Sequence, residues 1–226
     1  MLNTAPHADN TLRICDGPAC WLRGATELRE YAENTLGRNW PVSRNSCLGL
    51  CNRTPAVLLG KKQWGPVTRL ELEALMVTEG HSPNPDYAHP HPKEVRVMLA
   101  NAGKIDPTSV ESAIAYGAYG ALAAVVNKDP VAPKTIIETV EKAGIRGCGG
   151  AGFPVGRKWA YVAAEAHTPK YVVCNADESE PLVFKDRVLM ETNPHQLLEG
   201  MALAAYAVGA QEGFIYIRGE YEHQAQ

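Results

Sequence analysis

Four cysteines stand in two close pairs near the amino terminus, Cys15 with Cys20 as C-x4-C and Cys47 with Cys51 as C-x3-C. Four thiolates are what a 2Fe–2S cluster requires. Structural zinc also takes two cysteine pairs, but zinc ribbons prefer C-x2-C knuckles, and the pairs here are wider. Two disulfides fit less well, because Met1–Asn10 has neither a basic region nor an apolar core and so is no signal peptide. Thr11–Ile14 reads as a short strand, which puts Cys15 just after a strand, and Cys20 opens a helix. Backbone N–H groups and the helix dipole at such a place favour anionic sulfur.

A second constellation runs from Gly144 to Arg187. Its first part carries five glycines, Gly147, Gly149, Gly150, Gly152 and Gly156, followed by Lys158. Such a loop lets bare N–H groups approach a phosphate, with a cation nearby to balance its charge. Gly147, Gly149 and Gly152 also spell G-x-G-x-x-G, but that fingerprint must follow a strand. Here Thr135–Gly144 precedes it, a helix bounded by Pro133 and Gly144. The second part is a β-rich run, Tyr171–Cys174, with Asn175-Ala-Asp-Glu-Ser-Glu180 after it. Ligands of open α/β sheets bind beyond the carboxyl ends of strands. Carboxylates at Asp177, Glu178 and Glu180 could there hydrogen-bond hydroxyls or shape the field around a redox ring. Taken singly, each half also reads as a glycine-rich turn or a solvated acidic loop. Together, about twenty residues apart, they favour a site.

The segments Arg146–Trp159, Asn175–Pro181 and Phe184–Arg187 read R-G-C-G-G-A-G-F-P-V-G-R-K-W, N-A-D-E-S-E-P and F-K-D-R. They resemble the flavin-binding, NADH-oxidising subunit of respiratory complex I and the diaphorase subunits of NAD-linked hydrogenases and formate dehydrogenases. Cys148 stands where many relatives have Arg. Leu182 stands where many have Gly, and it adds a side chain where the backbone turns tightly. The four cysteines, with Trp21 after the first pair and Pro55-Ala-Val after the second, resemble the thioredoxin-like ferredoxins that accompany such subunits. The resemblance implies hydride exchange between NAD(H) and FMN and single-electron transfer to iron–sulfur centres, within an assembly that includes other iron–sulfur subunits. It implies Cys15, Cys20, Cys47 and Cys51 as cluster ligands. Gly147, Gly149, Gly150, Lys158, Asn175, Asp177, Glu178 and Tyr216 then hold FMN, and Phe153 and Tyr161 stack against the adenine of the dinucleotide. Glu180, as the catalytic candidate, and Glu220 face the nicotinamide. The family continues with a further nucleotide loop, a ubiquitin-like domain and a 4Fe–4S domain. Only the first part of such a subunit is therefore expected here. The alternative is a non-catalytic 2Fe–2S electron-transfer or assembly module with an incomplete flavin domain.

The elements that must position these groups follow from periodicity. The expected fold class is α/β: a thioredoxin-like ferredoxin domain over residues 1–80, a proline-rich linker over 81–94, and the first part of an α/β FMN- and NAD(H)-binding domain over 95–226. In the first domain a helix over Trp21–Leu36 carries Leu28, Tyr31, Ala32 and Leu36 at helical spacing and ends at Gly37. Asn39–Ser46 reads as a loop. Ala56–Leu59 and the run around Trp64–Val67 form a hairpin, and Arg69–Thr78 a last helix. In the linker, His89 and His91 are better explained as solvated than as metal ligands. Val95–Ala102 reads as a strand and Pro107–Val126 as a helix capped by Asp106 or Thr108. Trp159–Ala166 is a helix. Asn193–Gly209 is another, turning Leu197, Leu198, Met201, Ala204 and Val208 inward, before a strand at Phe214–Arg218. Core packing and a solvated turn would also account for Tyr216 and Glu220.

A net charge of −3, with no Lys/Arg run, argues against nucleic acid as a partner. The weakly polar run Ile114–Val126 is too short to span a bilayer, so a cytoplasmic chain without a transmembrane segment is expected.

Overall fold

Leu12 and Ile14, each 1% exposed, lie two residues apart on one face of strand β1 (Leu12–Cys15), the centre of a four-stranded sheet. In this computed structural model, which describes residues 11–36, 40–75 and 89–226, β1 leads into helix α1 (Pro18–Trp21) and helix α2 (Ala25–Thr35). The chain returns as β2 (Val42–Asn45), parallel to β1 with Leu12 opposite Val42. Strands β3 (Val57–Leu59) and β4 (Lys62–Trp64) form a hairpin that joins the other edge of β1 antiparallel, giving the order β2-β1-β3-β4. Helix α3 (Arg69–Leu75) follows. The core is Leu12, Ile14, Leu28, Ala32, Val57, Leu58 and Leu72.

Two features differ from expectation. Trp21–Leu36 is not one helix, because Gly24, at φ +86°, separates α1 from α2 and leaves Trp21 64% exposed. Asn39–Ser46 is not all loop. Its Val42–Asn45 pairs with β1, and a four-residue strand with one apolar residue gives no period to read. Gly37 and residues 76–78 of the expected last helix lie outside the described residues, as does most of the linker.

By contact, the chain forms two units. One comprises Met1–Asp86 together with Ala176–Val188 and Ile217–Gln226, the other Tyr87–Asn175 with Leu189–Tyr216. The second begins with helices α4 (Val110–Ala115) and α5 (Gly120–Val126). These correct the single helix expected over Pro107–Val126: Gly117 and Tyr119, at φ +90° and +62°, break it, and the cap of α4 is Ser109, whose hydroxyl accepts from Ser112 N–H at 3.1 Å. Asp106 instead accepts from Thr108 N–H and Oγ1. Val95–Ala102 forms no strand. It runs as coil and turns, with Val95 and Val97 88% and 81% exposed.

Helices α6 (Pro133–Lys142) and α7 (Val155–Ala164) pack around Ile136, Ile137, Trp159 and Ala160. Thus α7 starts four residues earlier than expected. Strand β5 (Tyr171–Ala176) runs on through Asn175. After helix α8 (Lys185–Thr192) comes α9 (Pro194–Val208), with Asn193 capping its start and Gly209, at φ +73°, its end, as expected. Of its expected inward residues Val208 is buried and Leu197, Met201 and Ala204 are half-buried, but Leu198 faces out. His195, Ala207 and Val208 are buried while Leu198 is 42% exposed. Strand β6 (Glu212–Ile217) pairs with β5, and helix α10 (Glu222–Ala225) closes the described chain.

Candidate functional site

β1 ends in Cys15, and α1 carries Cys20, so the first cysteine pair straddles one strand-to-helix turn. Gly17 lies in that turn, where an added Cβ would come 3.5 Å from Cys15 Sγ and 3.6 Å from Cys47 Cα. The two pairs therefore meet. Cys15 Sγ hydrogen-bonds with both Cys20 and Cys47, and Cys47 Sγ is 3.2 Å from Cys51 Sγ. Cys15, Cys20 and Cys47 are buried, Cys51 is half-buried, and all four are free thiols.

Backbone donors surround this sulfur cluster. Gly49 N–H donates to Cys47 Sγ at 3.4 Å, Gly17 and Leu48 N–H to Cys15, Ala56 N–H to Cys20 and Leu182 N–H to Cys51. The thiols shift one another's ionisation in both directions. The hydrogen bond from Cys15 lowers the pKa of Cys20, and that same bond raises the pKa of Cys15. Contact with Cys15 pushes the Cys47 thiol up, and burial followed by contact with Cys47 pushes Cys51 up to about 11. Four thiols held against one another by N–H donors become four thiolates when a cation sits among them, because coordination deprotonates a thiol outright. Among the described residues no group of three or more His, Cys, Asp or Glu side chains surrounds one point for a single ion. The four thiols nevertheless lie in contact as a chain, Cys20 to Cys15 to Cys47 to Cys51, and four is the ligand number of a 2Fe–2S cluster. The donor set fits a 2Fe–2S cluster.

The acidic loop belongs to the same unit. Glu178, 5% exposed, accepts from Asp186 N–H at 2.8 Å and Arg187 N–H at 2.9 Å, so its carboxylate caps the first turn of α8. Leu182 adopts φ +72°, a left-handed turn that glycine takes more readily, and its N–H reaches Cys51. Arg187 is fully buried. Its Nε donates to Gly49 O and its Nη2 to Asn52 Oδ1, both at 2.9 Å. Arg218, 7% exposed, donates from Nη2 to Cys47 O at 2.7 Å and from Nη1 to Glu178 O at 2.9 Å. It also pairs with Glu220 at 3.0 Å, which in turn accepts from Asn45 at 3.5 Å. Burial alone would raise the pKa of Glu220, but the hydrogen bonds and charge of Arg218 hold it below the usual glutamate value. Tyr221, fully buried, stacks under the Arg218 guanidinium at 5.2 Å. Asp177 and Glu180 are exposed, with Asp177 accepting from Ser179 Oγ at 2.7 Å.

Arg187, Arg218 and Tyr221 were not singled out as site residues from the sequence. Arg187 closes the F-K-D-R block and Arg218 lies in Tyr216-Ile-Arg-Gly-Glu220, so their signal was position in a motif rather than residue chemistry.

In the other unit the glycine loop is a narrow ribbon. Gly147 N–H donates to Phe153 O and Val155 N–H to Ile145 O, both at 2.9 Å, and Arg146 Nη1 donates to Gly152 O at 3.0 Å. The glycines divide by cause. A Cβ on Gly156 would lie 2.6 Å from the backbone of Glu141, so this glycine serves the packing of α7 on α6. Gly150 and Gly152 have positive φ, +105° and +61°. Gly149 has neither reason: its φ is not left-handed and nothing lies within 4 Å of an added Cβ. The bare backbone there is open to close approach from outside. Lys158, exposed, lies in the first turns of α7, and Phe153 and Tyr161 are 46% and 61% exposed. Asn175 and Tyr216 lie on the neighbouring strands β5 and β6, Tyr216 being 57% exposed.

Comparison with known proteins matches two segments of the chain. Residues 1–78 match the thioredoxin-like [2Fe-2S] ferredoxin family and residues 140–226 the Nuo51 FMN-binding domain. An NADH-quinone oxidoreductase subunit of Rhizobium meliloti (strain 1021) is 48% identical over 125 residues, covering 55% of this chain and 29% of that protein. An NADP-reducing hydrogenase subunit, HndC of Solidesulfovibrio fructosivorans, is 43% identical over 129 residues, covering 57% and 26%. The crystal structure of an NAD+-reducing [NiFe]-hydrogenase in the air-oxidized state superposes on 98% of this chain and 40% of its own, with a TM-score of 0.76 and 26% identity. The chain thus spans less than a third of the length of these curated relatives.

Proposed function

We propose that this chain is the ferredoxin- and flavin-binding part of an NADH:acceptor oxidoreductase (diaphorase) subunit. It passes electrons between NAD(H), FMN and iron–sulfur clusters, together with the other subunits of a dehydrogenase, hydrogenase or complex I-like assembly. The observation that carries this reading is the meeting of Cys15, Cys20, Cys47 and Cys51 beneath peptide 176–188, a peptide that belongs to the flavin-domain match. FMN, when bound, accepts a hydride and releases electrons singly. The residues proposed to hold it are Gly147, Gly149, Gly150, Lys158, Asn175, Asp177 and Tyr216, with Glu178 acting through the turn of α8 that it caps. Phe153 and Tyr161 are proposed for the adenine of the dinucleotide, and Glu180 and Glu220 for the nicotinamide side. The sequence modules 1–80, 81–94 and 95–226 remain the proposed division.

No helix among the described residues is long and apolar enough to cross a membrane, and a cytoplasmic site of action is proposed with the rest.

The test is the composition and spectrum of anaerobically purified protein. Two irons and two acid-labile sulfides per chain, with one FMN, are expected. Zinc without sulfide would refute the cluster. A ferredoxin spectrum that gains no flavin on reconstitution with FMN would leave only the electron-transfer module. NADH-driven reduction of an artificial acceptor then tests the enzyme reading, with a polypeptide corresponding to the remaining length of the relatives supplied alongside.

A further inference from the structure

We propose that Arg187 and the Arg218–Glu220 pair, which follow the ferredoxin domain in sequence, set the reduction potential of the cluster held by Cys15, Cys20, Cys47 and Cys51. This rests on the cluster reading above. Both guanidinium groups are buried, and both are aimed at the loop that carries the second cysteine pair. Arg187 holds Gly49 O and Asn52 Oδ1, and Arg218 holds Cys47 O. Reduction adds one electron to a centre with four thiolates, so its free energy responds directly to fixed charge nearby. A buried cation stabilises the more negative, reduced form and raises the potential.

Arg187 and Glu220 differ in sign of consequence. The charge of Arg218 is matched by Glu220 at 3.0 Å. Removing Glu220 therefore exposes a cation to the cluster, whereas removing Arg187 withdraws one. The neighbouring Asn52 offers a third handle. It is a neutral acceptor of the Arg187 Nη2 hydrogen bond at 2.9 Å, and an aspartate of nearly the same shape would keep that bond while adding a negative charge. No electron donor beyond the titrant is needed to read these effects, because each is an equilibrium property of the bound cluster.

A unit charge within about 10 Å, at the dielectric of a protein interior, changes an equilibrium by about tenfold. For a one-electron couple tenfold is about 59 mV. In anaerobic redox titrations of the full chain, followed by the visible spectrum and by EPR of the reduced cluster, Arg187→Gln and Asn52→Asp should each lower the potential by about this amount. Arg187→Lys, which keeps the charge, should stay near the parent. Glu220→Gln should move the potential upward. Iron and sulfide are measured on every variant. Parent protein without a cluster would refute the cluster reading itself. Clusters present with parental potentials in Arg187→Gln and Asn52→Asp would refute this inference alone, as would equal losses in Arg187→Lys and Arg187→Gln, which would assign the effect to the hydrogen-bonded fork and not the charge. Should Arg187→Gln hold no cluster, an unchanged potential in Asn52→Asp refutes the inference.

Discussion

Gly49 is the residue on which the iron–sulfur loop and the carboxyl-terminal peptide depend most sharply, and Gly49→Ala is the perturbation that shows it. The residue lies between Cys47 and Cys51 at φ +73°, a conformation that costs a residue with a side chain about 1–2 kcal/mol. An added Cβ would also lie 2.0 Å from Tyr221 Oη and 2.8 Å from two of its ring carbons. Tyr221 has nowhere to go. It is fully buried, with Arg218 over its ring at 5.2 Å and its hydroxyl beside Glu178. Overpacking of this kind typically costs about 1–3 kcal/mol, so the sum is about 2–5 kcal/mol, a large share of the ~5–15 kcal/mol that stabilises an ordinary domain. Urea denaturation should therefore show a clear drop in midpoint for Gly49→Ala, accompanied by loss of bound iron. Tyr221→Phe removes only the hydroxyl, whose hydrogen bonds are long at 3.4 and 3.5 Å, and should cost well under 1 kcal/mol alone. Combined with Gly49→Ala it should recover part of the loss, since the ring carbons still clash. A parental midpoint with full iron content in Gly49→Ala would refute the packing argument.

Gly149→Ala should behave oppositely: with nothing within 4 Å of the new Cβ, stability stays within about 0.5 kcal/mol of the parent while FMN content falls, which denaturation and flavin fluorescence read separately. Gly156→Ala should cost about 1–3 kcal/mol without any flavin present, because its Cβ would press on the Glu141 backbone at 2.6 Å. Glu220 gives a pH dependence. Its folded pKa lies below the ordinary value of about 4.3, so its stabilising contribution is present above that value and is lost as pH falls through the folded one. The acid limb of stability against pH, followed by circular dichroism, should be shallower in Glu220→Gln.

What the sequence made legible was local and periodic. Leu28 and Ala32 at helical spacing, Asn193 and Gly209 as the caps of α9, Pro133 at the start of α6 and the hairpin over residues 56–67 all follow from rules that act within a few residues. The tight turn expected at Leu182 from the family resemblance is there, at φ +72°. Misreadings fell where tertiary pairing overrides a weak local signal. Val42–Asn45 is a strand only because β1 offers it a partner. Val95–Ala102 has a β-rich composition but no partner strand among the described residues, and two of its valines stay exposed. On α9 only Leu198 of the expected inward residues is exposed, because a helix rich in Leu, Ala and Met offers more than one plausible stripe.

The candidate site divides along the same line. Cysteines and glycines announce their chemistry by type, so the quartet and the loop were visible, although Gly156, one of the loop's five glycines, owes its place to the backbone of α6. The arginines were not visible, because a buried guanidinium looks in sequence like any surface one. Burying a charge is costly unless hydrogen bonds satisfy it. At Arg187 and Arg218 those bonds go to Gly49 O, Asn52 Oδ1, Cys47 O and Glu178 O, carbonyls and an amide over a hundred residues from Arg187 or some forty and more from Arg218. A structure that needed only a bridge between these peptides could use apolar side chains at lower cost. If the loop of Cys47 and Cys51 holds the proposed cluster, two buried cations set against it are what the proposed electrostatic control requires.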